Sequence, residues 1–349
     1  MFLRPDSKFS RFAFSTAALL AIGGAAAAAR ADAVADFYKG KTITLLLGTA
    51  LGSTYGANGH LFAAVFKTKV PGQPNVIVQA MAGAGGAKMV SYLYNVAPKD
   101  GMYIGFPLKY IAVNQAIGLP GIKYDANKFN YIGSLGPMNS MVAVWTATSP
   151  VKTVEDATKQ QVVMGATGKS SETFITPTLM NNLFGTKFKV ITGYDGTGPI
   201  HVAMERGEVN GVAASWDTLK GDKPEWLRNK NVVLLAQSGT KRAWDQQKLP
   251  TLLDLARTPE QKEILTFVAN GNAVGWLMMT PPGVPADRVA ALRTAFDATV
   301  KDSDYLDSIK TRNMDIDPIT GVEVARLIKA TLSKTPEMIV KIKAAMGLD

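Results

Sequence analysis

The chain has 349 residues, 47% of them hydrophobic and 19% charged, with no cysteine and a formal charge of +10. Its length suits about two domains, and its composition suits a packed core rather than a disordered chain. The lack of cysteine excludes disulfides, thiolate nucleophiles and thiolate zinc sites, and the lysines and arginines are too scattered to form a nucleic-acid footprint.

The N-terminus has the pattern of an export signal. Arg4, Lys8 and Arg11 precede a small, apolar run over 13–29, and A-x-A sites follow at Ala29-Arg30-Ala31 and Ala31-Asp32-Ala33. The expectation is a signal peptide over 1–33, cleaved on export to the periplasm. A membrane anchor is the alternative, but the run is short for a spanning helix of about 20 apolar residues. The remaining chain stays basic, which gives a weak field that draws in anions.

Residues 41–47 alternate and then become continuously apolar, as in a strand buried on both faces. The small-residue loop Gly48-Thr49-Ala50-Leu51-Gly52-Ser53-Thr54-Tyr55-Gly56 follows, then a helical pattern at Leu61, Phe62, Val65 and Phe66. Strand, tight turn and helix in that order leave unpaired N–H groups at the helix start, where the helix dipole favours an anion. Val76-Ile77-Val78 is a second strand. It feeds the turn Gly83-Ala84-Gly85-Gly86 and a helix with Met89, Val90 and Leu93. Tyr103–Phe106 is a third strand. Tyr131–Gly133 and Met141–Trp145 read as strands around a turn at Gly136-Pro137.

A second strand–loop–helix series opens at Thr153, which has an acidic partner, Asp156, three residues on. Val162–Gly165 is a strand. The loop Gly168-Lys169-Ser170-Ser171 follows, with a helix carrying Phe174, Leu179 and Leu183. Phe188–Ile191 is the next strand. The loop Gly193-Tyr194-Asp195-Gly196-Thr197-Gly198-Pro199 leads into a helix with Ile200, Ala203 and Met204 buried, and Pro199 suits its first position. Strands at 209–214 and 232–235 flank Ser215-Trp216-Asp217. Further helices start at Thr258, Pro285 and Thr335, and Trp276–Met279 is a strand. Such repetition predicts an α/β fold with two doubly wound sheets, whose ligands lie beyond the carboxyl ends of the strands.

Candidate ligand residues follow from these loops. Thr49, Gly52, Ser53, Thr54 and Tyr55 form a first anion cradle or a mere packing turn. Ala84, Gly85 and Gly86 form a second; as a nucleotide fingerprint it is weak, because Lys88 stands where the last Gly should be. Lys109 pairs with a carboxylate or is plain surface. Gly168, Lys169, Ser170 and Ser171 meet a second anionic group, or the serines only cap a helix. Tyr194, Asp195 and Thr197 sit at another helix start. Trp216 stacks on ligand or packs half-buried, with Asp217 beside it, and Trp145 and Trp216 leave room for an aromatic acid. His60 and His201 have no metal spacing, and neither a nucleophile elbow nor a P-loop is present, so neither a metal nor a cofactor is expected.

The mature chain resembles the Bug proteins, the exported receptors of tripartite tricarboxylate transporters. The likeness rests on several stretches in order: Phe37–Thr42, Gly52-Ser53-Thr54-Tyr55, Gly83–Gly86, Ala97-Pro98-Lys99-Asp100-Gly101, Gly165–Gly168, Gly193-Tyr194, Met204–Val209 and Pro281–Pro285. It implies a two-lobed periplasmic binding protein of type 2-like fold, joined by a strand hinge. Lobe 1 would take 34–146 and 240–349, and lobe 2 would take 147–239. It also implies a monomer that carries a small carboxylate to membrane permease subunits, with backbone amides of the first two loops making much of the contact. One departure stands out: Gly56 lies where the family has an Asp. The rival readings are an exported hydrolase-like enzyme, for which no general base is visible beside a hydroxyl, and a ligand-sensing partner of a membrane signalling protein.

Overall fold

The computed structural model describes residues 32–348 except Ser170, Asn313 and Asp315. The expected signal peptide, but for its last two residues, and the candidate Ser170 lie outside the described residues. Residues 32–38 form α1, which buries Val34 and Tyr38 against the first sheet. There follow β1 (Thr42–Leu47), α2 (Thr54–Lys69), β2 (Asn75–Ala80), a 3-10 turn (Ala84–Gly86), α3 (Ala87–Asn95), β3 (Tyr103–Phe106), α4 (Ile111–Ala116) and β4 (Asn130–Ser134). The chain then builds β5 (Ser140–Trp145), α5 (Val154–Lys159), β6 (Val162–Ala166), α6 (Glu172–Phe184), β7 (Phe188–Thr192), α7 (Thr197–Glu205), β8 (Gly211–Ser215), α8 (Trp216–Asp222), α9 (Pro224–Arg228) and β9 (Val232–Ser238). It returns through α10 (Pro259–Ala273), β10 (Leu277–Thr280), α11 (Ala286–Thr299), α12 (Ser303–Thr311), β11 (Ile319–Thr320), α13 (Gly321–Leu332) and α14 (Pro336–Met346).

Two mixed sheets organise these elements. The six-stranded sheet has the order β11-β4-β10-β3-β1-β2, and the five-stranded one β7-β6-β8-β5-β9. β1 runs parallel to β2 and β3, and β6 runs parallel to β7 and β8. The strand made just after each crossing between sheets, β5 or β10, runs antiparallel to both its neighbours.

The continuously apolar strands have a direct cause. Ile43, Leu45 and Leu47 pack on one face of the first sheet against Phe62 and Phe66 of α2 and Phe296 of α11. Leu46 points the other way, toward Met89 and Leu93 of α3 and Ile328 of α13. The second sheet repeats the scheme: Val142 and Val144 face Met180, while Met141 and Ala143 face Ile200, Met204 and Trp226. A sheet covered on both faces needs apolar side chains at every position rather than every second one.

Tyr131–Gly133 and Met141–Trp145 are strands, and the segment around Gly136-Pro137 carries the chain from the first sheet to the second. Residues 140–145 pair within the second sheet. Two details differ from the sequence reading. Pro199 is the third residue of α7, because Gly196 takes the N-cap position. Last, α12, α13 and β11 complete the first lobe over 303–332, a stretch in which the sequence pattern showed no element.

A helical cluster ties the lobes together away from the sheets. Tyr110 and Val113 of the first lobe, Phe267 and Val268 of α10 and Ile342 and Met346 of α14 pack on Ile175 and Leu179 of α6 in the second. At the crossings, Asn272 donates from Nδ2 to Ser238 O at 3.1 Å and to its Oγ at 2.7 Å, and accepts from the Tyr110 hydroxyl at 3.2 Å.

Candidate ligand-binding cleft

The carboxyl ends of both sets of parallel strands open onto one cavity of about 650 Å³ between the lobes. Gly48 and Thr49 follow β1, Ala82 and Gly83 follow β2, and Leu108 and Lys109 follow β3. From the other side come Thr167 and Gly168 after β6, Tyr194 and Asp195 after β7, and Ser215 at the end of β8. This is the position at which open α/β sheets present loops and helix N-termini to a ligand.

The first turn is shaped by Gly56. A Cβ there would lie 1.8 Å from Leu51 O, so no side chain fits while the loop folds back on the start of α2. An Asp here, as in the family, does not fit while the loop keeps this shape. Ser53 is the N-cap of α2: its Oγ accepts from Gly56 N at 3.3 Å and donates to Ala50 O at 2.6 Å. Tyr55 lies on Trp276 and Phe106, with ring centroids 4.5 and 5.1 Å away. Its hydroxyl donates to Gly275 O at 3.4 Å, and burial pushes its pKa well above the ordinary value of 10, so it stays neutral. The second turn curls left-handed from Gly83 to Gly86, with Ala84 at φ 47°. No side chain caps the helix it opens, α3, and Gly83, Gly85 and Gly86 line the cleft.

Lys109 is buried and engaged within the chain. Its Nζ donates to Met138 O at 3.1 Å, Ser140 Oγ at 3.0 Å and Glu172 Oε2 at 2.5 Å. Glu172 is the first residue of α6. Its Oε2 also accepts from Ser140 Oγ, and its Oε1 accepts from Ser215 N at 3.1 Å. An ion pair of the first lobe's lysine and the second lobe's glutamate thus forms part of the cleft lining.

The tripartite tricarboxylate transporter family receptor model matches residues 63–344. The chain belongs to that family. It is therefore a transport receptor by family, not a member of an enzyme family. No curated protein matches this receptor in sequence. Its fold is similar to that of several solved structures. One is a TctC solute binding protein from Polaromonas, solved without ligand, at 20% identity and a TM-score of 0.65, covering 89% of this chain and 99% of that one. Another, from R. palustris, was solved with adipate; it is 18% identical with a TM-score of 0.67, over 88% of this chain and 97% of that one. A third is MatC from Rhodopseudomonas palustris with bound malate, at 20% identity and a TM-score of 0.61, over 86% and 99%. They establish the two-lobed α/β fold of this receptor.

The cavity brings together Thr49, Gly52, Ser53, Thr54, Tyr55, Gly85, Gly86, Lys109, Gly168, Ser171, Tyr194, Asp195 and Thr197. Ser171 takes the N-cap position of α6, but its hydroxyl donates to Gly168 O at 2.8 Å instead of accepting an amide. Ala84 and Lys169 are exposed outside the cavity. Trp216 and Asp217 are also outside it. Trp216 is buried in the second lobe's core, and its Nε1 donates to Asp245 at 2.7 Å. Asp217 lies 3.9 Å from Lys220, and burial raises its pKa above the usual carboxylate range. Trp145 packs edge-on against Trp226. The tryptophan in the cleft is Trp276, hidden in the sequence as the start of a strand. Glu172 was also missed, because an acidic residue in the first turn of a helix is explained by the dipole alone.

Proposed function

We propose that this receptor captures a small carboxylate between its lobes in the periplasm and delivers it, as a monomer, to membrane permease subunits of a tripartite transporter. The observation that carries the reading is the convergence of both sets of strand ends on one cavity, with the turns at 52–55 and 83–86 on its first-lobe wall. Amides at the starts of α2 and α3 are already oriented, and hydrogen bonds to a charged acceptor contribute about 1.5–3 kcal/mol each. A buried carboxylate left without such donors would cost several kcal/mol. Turns rather than lysines can therefore bind the acid, which fits a cleft whose Lys109 is already paired. The carboxylates held by the structural relatives, adipate and malate, favour the same ligand class.

Neither histidine lines the cavity: His60 is exposed on α2 and His201 is buried in the second lobe's core. A thermal-shift screen with aliphatic and aromatic mono-, di- and tricarboxylates tests the proposal. A true ligand at 100 times its dissociation constant stabilises by about 2.7 kcal/mol and perturbs the fluorescence of Trp276. A panel that leaves the melting temperature unmoved would overturn the carboxylate assignment.

A further inference from the structure

We infer that the ligand of this cleft carries one carboxylate and, at its far end, a hydrogen-bond donor such as a hydroxyl or an ammonium group, and that Glu172 sets this preference. The inference rests on the carboxylate reading above. Among the described residues, the charged side chains lining the cavity are Lys109, Glu172, Asp195 and Asp222. The Lys109 ammonium has three N–H donors, and all three point at acceptors of the chain itself. Together, the Lys109 ammonium, the Ser140 hydroxyl and the Ser215 amide would bind a ligand carboxylate well. Glu172 is already there, touching all three.

What remains for the ligand's second end carries carboxylates and, among the described residues lining the cavity, no unpaired cation. Glu172, Asp195 and Asp222 outnumber Lys109, so a second carboxylate meets surplus negative charge, which disfavours it. The amides that open α7 do not offset this, because Asp195 stands one residue before the Gly196 cap. Lys169 is exposed outside the cavity. One further group favours a donor. Asn114 Oδ1 belongs to a residue lining the cleft and has no partner among the described residues. A ligand donor that reached it would satisfy an oxygen otherwise buried without a bond.

Isothermal titration with acids matched in length and differing only at the far end decides the matter. The probes are glutarate, 5-hydroxypentanoate and 5-aminopentanoate, with terephthalate, 4-hydroxybenzoate and 4-(aminomethyl)benzoate as the aromatic set. In at least one set, a donor-ended acid should bind at least tenfold tighter than its dicarboxylate. Glu172→Gln should narrow that ratio. So should Asp195→Asn with Asp222→Asn, both exposed positions at which the fold tolerates change. A dicarboxylate that matches or beats its donor-ended partners in both sets overturns the inference and leaves the carboxylate reading standing. A ratio unmoved by the Asp195/Asp222 variant also overturns it. Absence of binding by every acid of both sets removes the inference and the carboxylate reading together.

Discussion

At the scale of single residues, Gly56 and His201 give the sharpest tests. Gly56→Ala puts a methyl group into Leu51 O, so either the first turn or the start of α2 must move. The variant should lose about 2 kcal/mol or more of stability by chemical denaturation, and its ligand affinity should fall by at least tenfold. Wild-type stability and affinity would show that the loop reshapes at little cost. His201 is buried edge-on against Trp226 at a centroid distance of 4.9 Å, and neither ring nitrogen has a partner among the described residues. Burial, aided by Lys223, pulls its pKa down from 6.5 to about 4. Between those values the unfolded chain binds a proton that the folded chain refuses, so stability falls as pH drops from 6.5 toward 4 and levels off below. The loss attributable to this residue is roughly 3 kcal/mol. Urea titrations at pH 7 and pH 4.5 should show a smaller decline for His201→Phe than for the parent; an equal decline would place the acid sensitivity elsewhere.

At the scale of elements, the lobes are joined by crossing segments, a helical cluster and the Lys109–Glu172 ion pair. Lys109→Met leaves Glu172 without its cation in a largely buried setting. Breaking such a pair from one side costs about 3–5 kcal/mol, while replacing both partners is often nearly neutral. The double variant Lys109→Met with Glu172→Gln should therefore be more stable than Lys109→Met alone. A simple sum of the two single losses would mean that the pair is not coupled. Asn272 holds the strand end at Ser238 to Tyr110. Asn272→Ala strands the buried Tyr110 hydroxyl and should cost about 1–3 kcal/mol by the same assay. Most elements were legible because their cause is local. Thr153 and Asp156 form the capping box that their spacing announces, and Thr258 and Thr335 cap α10 and α14. What was illegible depends on packing across the chain. Trp216 turns into the core because Asp245, 29 positions later, takes its N–H. Glu172 reaches Lys109, 63 positions earlier. No spacing rule reports either event.

At the scale of the whole molecule, two sheets, each covered on both faces, point the ends of their parallel strands at one another. That topology was readable, since strand–turn–helix repeats and continuously apolar strands already imply parallel sheets. The crossing between β4 and β5 was not, because Gly136-Pro137 looks the same whether it turns a hairpin or leaves a sheet. The proposed function follows from the meeting of the strand ends: on that reading, an acid between the lobes receives amide bonds from the turns of the first lobe. A crystal structure of the receptor with its tightest-binding acid tests this most directly. The account predicts a carboxylate within hydrogen-bond distance of backbone N–H groups in both 52–55 and 83–86, with the second lobe closed over it. A ligand bound outside the cleft, or one touching neither turn, would contradict it.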